Sequence, residues 1–167
     1  MKALFLFALL IPQLALAANG SPDSSFYRSL AEGGMAEVDL GKLASDKAAD
    51  PSVKDFGAMM VKDHSAANQE LKSLAASKNV SLPDGPGVAA QAKKAKLEAL
   101  SGSTFDKAYL ANQIKAHQST VTLLQTEISS GKDPDAKAFA QKVLPTVQSH
   151  LSAAEKIADS LRIKSHQ

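Results

Sequence analysis

Four polar side chains stand at positions that a helical bundle normally fills with apolar residues. They are Glu37, His64, His117 and His150, one in each of four stretches that favour long helices. A buried polar group without a partner costs roughly 1–3 kcal/mol in protein mutational data. Neutral imidazole is the commonest metal ligand, and three imidazoles with one carboxylate suit Zn, Fe or Mn. The set therefore predicts a buried site for a divalent transition metal.

The apolar spacing around each histidine indicates the inward face of a helix, because apolar residues recur at alternating steps of three and four. Around His64 the stripe consists of Val53, Phe56, Met60, Ala67, Leu71 and Leu74. His117 and His150 occupy equivalent steps in stripes of their own. Glu37 lies on a stripe of mostly small residues, including Gly34 and Gly41, which would let its helix approach a neighbour closely.

Proline and glycine divide the chain into helices. Asp50-Pro51 and Asp133-Pro134 each cap and open a helix, and residues 79–88 form a loop with two prolines and two glycines. The pattern predicts helices over 22–49, 51–78, 89–100, 103–129 and 134–163. The predicted fold is all-α: a ferritin-like four-helix bundle of two antiparallel hairpins, 22–79 and 102–163. A short extra helix lies in the crossover, 80–101, which is long enough to invert the second hairpin.

The four polar residues are also level along the bundle. Glu37 and His64 lie thirteen residues before and fourteen after the turn at Asp50, and His117 and His150 lie sixteen before and seventeen after the second turn. At ~1.5 Å rise per residue, each pair is level within its own hairpin, roughly 20–25 Å from its turn. Convergence near mid-height is therefore expected whether the hairpins are parallel or inverted.

Three neighbours are candidates to support the ligands. Tyr109 and Gln113 lie on the face of His117, two turns and one turn before it. Asp63 precedes His64 and points about 100° away from it, towards a helix interface or solvent. Di-iron carboxylate bundles carry Glu-x-x-His on two helices, and this chain has none, which disfavours a diiron oxidation centre. No other motif predicts catalysis.

The N-terminal residues and the composition indicate export. Residues 1–17 have the pattern of a secretory signal peptide: Lys2, an apolar run and Ala15-Leu16-Ala17. The predicted mature chain, 18–167, is a single domain without a transmembrane segment, periplasmic or otherwise exported. The chain has no cysteine, so neither disulfides nor a lipobox is expected. Without Lys2 the charge is 18 basic against 17 acidic residues, which gives no electrostatic footprint for nucleic acid. His166 is expected at the surface.

Several segments together resemble a known family, the bacterial exported domain of unknown function 4142. The segments are Phe26 through Gly41, Lys62-Asp63-His64, Phe105-Asp106-x-x-Tyr109 with His117, and Leu144-Pro145 with His150-Leu151. The resemblance covers Ser25 to about Ala158. It implies a ferritin-like four-helix bundle in the cell envelope, with no established reaction and no assigned metal ligands.

Two functional hypotheses follow. In the first, the buried Glu/His set binds a divalent transition metal and protects the envelope against stress. In the second, the chain is a non-enzymatic envelope interaction module whose polar core only fixes the register of the helices. Its partner would be an envelope protein or a second copy. Lys93, Lys94 and Lys96 of the crossover helix are either the docking surface or simply a solvated face, which is the usual role of a short charge run.

Overall fold

The computed structural model describes residues 22–164, which form five α-helices and no strand within that range. The helices are α1 (Pro22–Lys47), α2 (Pro51–Ser77), α3 (Val88–Glu98), α4 (Gly102–Ser130) and α5 (Pro134–Lys164). Every predicted boundary lies within two residues of an observed one, and the all-α prediction is confirmed. The predicted signal peptide, 1–17, and His166 lie outside the described residues. Within them, none of the helices has the length and apolar character needed to cross a membrane.

The second hairpin is inverted with respect to the first. The C-terminal half of α1, with Leu40, shares an apolar cluster with the N-terminal half of α4, with Phe105. At the other end Phe26 of α1 shares a second cluster with Leu124, late in α4. The helices α1 and α4 are therefore antiparallel neighbours, and the turns of the two hairpins lie at opposite ends. The crossover with α3 packs against α1 and α4, which confirms the ferritin-like arrangement.

Each turn is held by the first helix of the other hairpin. The buried carboxylate of Asp106 in α4 accepts the backbone N–H groups of Ala49 (3.0 Å) and Asp50 (2.9 Å) in the first turn. At the opposite end Asp23 in α1 accepts the N–H of Lys132 in the second turn, at 2.8 Å. Groups that a helix leaves unpaired at its ends need such partners. The two hairpins are thereby joined at both ends of the bundle.

The apolar core is divided into two clusters with a polar layer between them. The cluster nearer the first turn includes Leu40, Ala44, Val53, Phe56, Met60, Phe105, Tyr109 and Leu110. The cluster nearer the second turn includes Phe26, Tyr27, Leu71, Leu124, Phe139 and Val147. Between them lie four buried polar side chains: Glu37, Gln113, His117 and His150. The sequence prediction that polar residues meet near mid-height agrees with this layering.

The helices α1 and α2 approach each other most closely where two glycines face one another. A Cβ atom built on Gly57 would lie 2.7 Å from the carbonyl oxygen of Gly41 and 2.9 Å from the Cβ of Ala44. A Cβ atom on Gly41 would likewise lie 2.7 Å from the carbonyl oxygen of Gly57. The closest of these contacts are with backbone oxygens, which cannot move aside as a flexible side chain can. The small-residue stripe therefore permits the packing that brings Glu37 inward.

Replacing Gly57 with alanine is expected to lower the free energy of unfolding by about 1–3 kcal/mol, the usual cost of overpacking. This cost exceeds the gain of up to about 1 kcal/mol from the higher helix propensity of alanine. Gly33→Ala is the matched control, because a Cβ atom there meets nothing within 4 Å and only the propensity gain remains. Urea denaturation measures both. A Gly57→Ala protein as stable as Gly33→Ala would contradict the close approach.

Candidate metal centre

Three histidines from three helices meet in the polar layer. His64 of α2, His117 of α4 and His150 of α5 have ring centroids 5.6 Å apart (64–117), 5.4 Å apart (64–150) and 5.5 Å apart (117–150). One ligand atom from each lies within 4.8 Å of the others. His117 and His150 are only 1% and 2% exposed, and His64 is half-buried. A nearly equilateral triangle of imidazoles can surround one metal ion.

The hydrogen bonds of two histidines fix which ring nitrogen carries the proton. Nδ1 of His117 lies 2.9 Å from the carbonyl oxygen of Gln113, and Nε2 of His150 lies 3.0 Å from a carboxylate oxygen of Asp63. Because a carbonyl or an ionised carboxylate only accepts, each of these nitrogens is the N–H donor. When such a ring is neutral, its other nitrogen carries a lone pair, as a metal ligand requires.

The remaining nitrogens have no hydrogen-bond partner among the described residues. Nε2 of His64, Nε2 of His117 and Nδ1 of His150 are all buried and unpaired within that part of the chain. Most buried polar atoms are paired, and an unpaired one costs about 1–3 kcal/mol. Three such atoms on three adjacent rings are therefore an expensive arrangement for a core that binds nothing.

Burial keeps two of the rings neutral. Burial, together with the neighbouring His117 and His150, lowers the pKa of His64 to about 3, although Asp63 opposes the shift. It also lowers the pKa of His117 to about 4, against the hydrogen bond to the Gln113 carbonyl, which raises it. Desolvation penalises the charged imidazolium more than these partners stabilise it. At neutral pH both rings are therefore in the form that binds metals.

Glu37 lies beside the histidines but outside their triangle. It is 7% exposed and lines the same cavity, but the close group of ligand atoms contains the histidines alone. Burial raises its pKa to about 7, partly offset by the side-chain amide of Gln113 and by Lys93. One of its oxygens, Oε2, has no hydrogen-bond partner within residues 22–164. The predicted position of Glu37 along the bundle axis, level with the histidines, agrees with the structure. Its role as a metal ligand stays a prediction.

The three predicted supporting residues lie near the site in different ways. Asp63 faces a helix interface, as expected, and its partner there is His150 of α5 rather than its neighbour His64. Gln113 acts through its main-chain carbonyl on His117, a contact that follows from the i, i+4 spacing. Tyr109 stacks on Phe105, with centroids 6.0 Å apart, and burial together with Glu37 raises the pKa of its hydroxyl. It does not touch the histidines in any contact that the structure shows.

A cavity of about 340 Å³ opens beside the triangle. Residues from α1, α2, α4 and α5 line it, and His64, His117, His150 and Glu37 are among them. The rest of its wall is mainly apolar. Periodicity identified part of this wall as core residues, among them Ala67, Leu71 and His117, but it could not show that the four helices leave a space between them.

The fold and the site define a ferritin-like four-helix bundle with a buried histidine triangle. The chain belongs to the family described as domain of unknown function DUF4142, whose sequence profile matches residues 11–157. The family resemblance expected from the sequence is confirmed. A search of curated proteins gave no match.

Solved structures share the fold at low sequence identity. A DUF305 fragment from Deinococcus radiodurans has a TM-score of 0.71 and 14% identity, covering 84% of this chain and 97% of the other. CopM in a Cu(I)-bound form has a TM-score of 0.70 and 14% identity, covering 84% and 98%. CopM in a Cu(II)-bound form has a TM-score of 0.70 and 15% identity, covering 83% and 96%. At this identity the likeness establishes the fold alone.

Proposed function

We propose that this protein binds one transition-metal ion through His64, His117 and His150. The observation that carries the proposal is the set of three buried ring nitrogens, one per histidine, that lack a partner among the described residues. The short mutual distances of the ligand atoms, within 4.8 Å, support it. A metal ion satisfies all three lone pairs at once, which no donor among the described neighbours does.

The ligand atoms follow from the tautomers. His117 binds through Nε2 because its Nδ1–H is bonded to the Gln113 carbonyl. His150 binds through Nδ1 because its Nε2–H is bonded to Asp63. A carboxylate or carbonyl behind a ligating imidazole fixes its orientation and raises its basicity, and losing such a partner typically costs 10–100-fold in metal affinity. Three protein ligands leave a fourth position open, as in metal sites that exchange ligands.

The chemistry of the ligands favours copper. An imidazole set suits Zn, Cu, Fe and Ni, and the stability order of divalent ions places copper(II) above the others. The chain has no cysteine that would add a thiolate. Structures of CopM, which shares the fold, contain Cu(I), Cu(II) or Ag. We therefore rank copper first and zinc second, ahead of the iron and manganese also considered from the sequence.

A purely structural network is the weaker explanation of the same residues. In such a network each imidazole would donate to one neighbour and accept from another. Here the donor sides of His117 and His150 are paired, but their acceptor nitrogens and Nε2 of His64 have no partner within the described chain. The predicted envelope partner or second copy, and a docking role for Lys93, Lys94 and Lys96, stay predictions.

The biological role that fits is metal sequestration or sensing in the cell envelope. The signal-peptide pattern of residues 1–17 supports an exported location, periplasmic or secreted. A ligand set of three neutral imidazoles holds an ion tightly without a redox-active sulfur. Protection against excess metal would follow from such binding alone, with no reaction required.

Metal content tests the proposal directly. Metal-free protein exchanged against Cu(II), Zn(II) or Mn(II) in the presence of a competing chelator is expected to retain one ion per chain, with affinities in the order Cu(II) > Zn(II) > Mn(II). Elemental analysis and isothermal titration measure this. The triple variant His64→Phe/His117→Phe/His150→Phe is expected to retain none. Substoichiometric copper in the parent protein, or equal copper in a folded triple variant, would refute the proposal. Glu37→Gln reports whether the carboxylate is the fourth ligand.

A further inference from the structure

The cavity beside the histidines is larger than a metal ion requires. Its volume is about 340 Å³. A water molecule has a share of about 30 Å³ in the liquid, so the cavity has room for roughly ten non-hydrogen atoms. Pockets that bind small organic molecules begin at about 300 Å³. The cavity therefore has room for a ligand larger than the ion alone.

The wall of the cavity has a polar part and an apolar part. The histidines and Glu37 line the cavity at the polar layer. The apolar part of the wall belongs to, or packs against, the cluster nearer the second turn: Leu30, Leu71, Leu123, Phe139, Val143 and Val147. Lys142 and Glu70 also line the space and form an exposed ion pair at 2.7 Å, which joins α5 to α2. A molecule that fits this wall has one polar end and one hydrocarbon end.

We propose that the cavity takes a small aliphatic monocarboxylate, whose carboxylate occupies the open position of the metal and whose hydrocarbon chain packs against the apolar wall. This inference rests on the proposed metal site. Neutral imidazoles leave the charge of a divalent ion uncompensated. Asp63 is hydrogen-bonded to His150, and the carboxyl of Glu37 lines the cavity but lies outside the triangle of ligand atoms, so the fourth position is open to an added carboxylate. An anion at the fourth position completes the neutralisation of a buried dication, where unpaired charge is costly.

Chain length is the first test. Copper-loaded protein is titrated with acetate, butyrate and hexanoate, followed by calorimetry and by the visible absorption of the Cu(II) ion. Each buried methylene is expected to tighten binding about fourfold, from the ~0.8 kcal/mol that its transfer contributes. A change in absorption shows that the carboxylate coordinates the Cu(II) ion. An affinity that increases with chain length shows that the hydrocarbon chain contacts the apolar wall. Equal affinities for the three acids would overturn the inference.

A cavity-filling variant is the second test. Ala67 of α2 lines the cavity one turn after His64, so Ala67→Leu is expected to weaken hexanoate binding at least about tenfold while copper content is unchanged. Ala58→Leu, on the exposed side of the same helix, is the matched control and is expected to alter neither. If the parent protein binds no copper, the proposed function fails and this inference fails with it. If copper binds but Ala67→Leu leaves hexanoate affinity unchanged, this inference alone is wrong.

Discussion

Replacing His117 with phenylalanine is expected to remove the stabilisation that the proposed metal ion would give this protein. A ligand that binds only the folded state stabilises it by about 4 kcal/mol when present at a thousand times its dissociation constant. For a chain of this size that is a rise in melting temperature of roughly 10 °C. Phenylalanine keeps a planar ring in the buried position but has no nitrogen, so two ligands remain and the rise is expected to vanish.

The measurement is thermal unfolding followed by circular dichroism, with and without Cu(II). Asn68→Ala is the matched control, because Asn68 lines the same cavity without contributing an imidazole, and its metal-induced rise is expected to match that of the parent protein. The metal-free melting curve of His117→Phe shows whether the variant folds. A folded His117→Phe protein that Cu(II) still stabilises by the full amount would mean that His117 is not a ligand.

The second large effect is on acid stability of the metal-free protein. The ordinary pKa of imidazole is about 6.5, and burial lowers the pKa to about 3 for His64 and about 4 for His117. Between those values and 6.5 the unfolded chain binds protons that the folded chain does not. Each ring therefore lowers the free energy of unfolding by up to about 1.4 kcal/mol for each pH unit below 6.5.

Two buried carboxyl groups act in the opposite direction over part of this range. Burial raises the pKa of Glu37 and of Glu127 from 4.5 to about 7 in each case, the latter with help from Asp23 and Asp133. Between pH 4.5 and 7 the folded state therefore holds protons that the unfolded state has lost, and stability falls as pH rises. From pH 6.5 down to 4.5 the effects of the two histidines and of the two carboxyl groups on the free energy of unfolding nearly cancel. Below pH 4.5 only the histidines of these four groups still lower it, and Asp133, whose pKa is lowered, despite its partial burial, by its bond to Lys78, adds to the loss at lower pH.

The expected curve of the parent protein is therefore flat between about pH 6.5 and 4.5 and steep below 4.5. In the double variant His64→Phe/His117→Phe, the two carboxyl groups change the free energy of unfolding without the opposing effect of the histidines. Its stability is therefore expected to rise as pH falls from 7 to 4.5. Between pH 6.5 and 5 the two proteins should diverge by up to about 4 kcal/mol. Urea denaturation at a series of pH values gives both curves. Parallel curves would show that the imidazoles are not held neutral by the fold.

Most of the fold follows from local signals in the sequence. The Asp-Pro pairs at 50–51 and 133–134 locate two helix starts, and the proline- and glycine-rich loop locates the crossover. Spacing of apolar residues locates the inward faces. Equal distances from the two turns then place the histidines at one height. These arguments need only helix geometry, which is why they succeed without knowledge of the tertiary contacts.

The remaining features depend on contacts between helices. The position of Asp63 relative to His64 gives its direction around α2 but not its partner, because the partner, His150, belongs to α5. Glu37 is level with the histidines, yet side-chain reach and direction place it beside the triangle instead of within it. The cavity arises because four helices fail to close around the polar layer, and no local pattern encodes such a gap.

The three histidines of the proposed metal site are divided between the two hairpins, with His64 in the first and His117 and His150 in the second. A bound ion would therefore act as a removable cross-link between segments far apart in the chain. Release of the ion would have to precede separation of the hairpins, so the principal consequence would be a slower unfolding rate. The lifetime of the folded protein, and with it resistance to envelope proteases, would then depend on the local metal concentration.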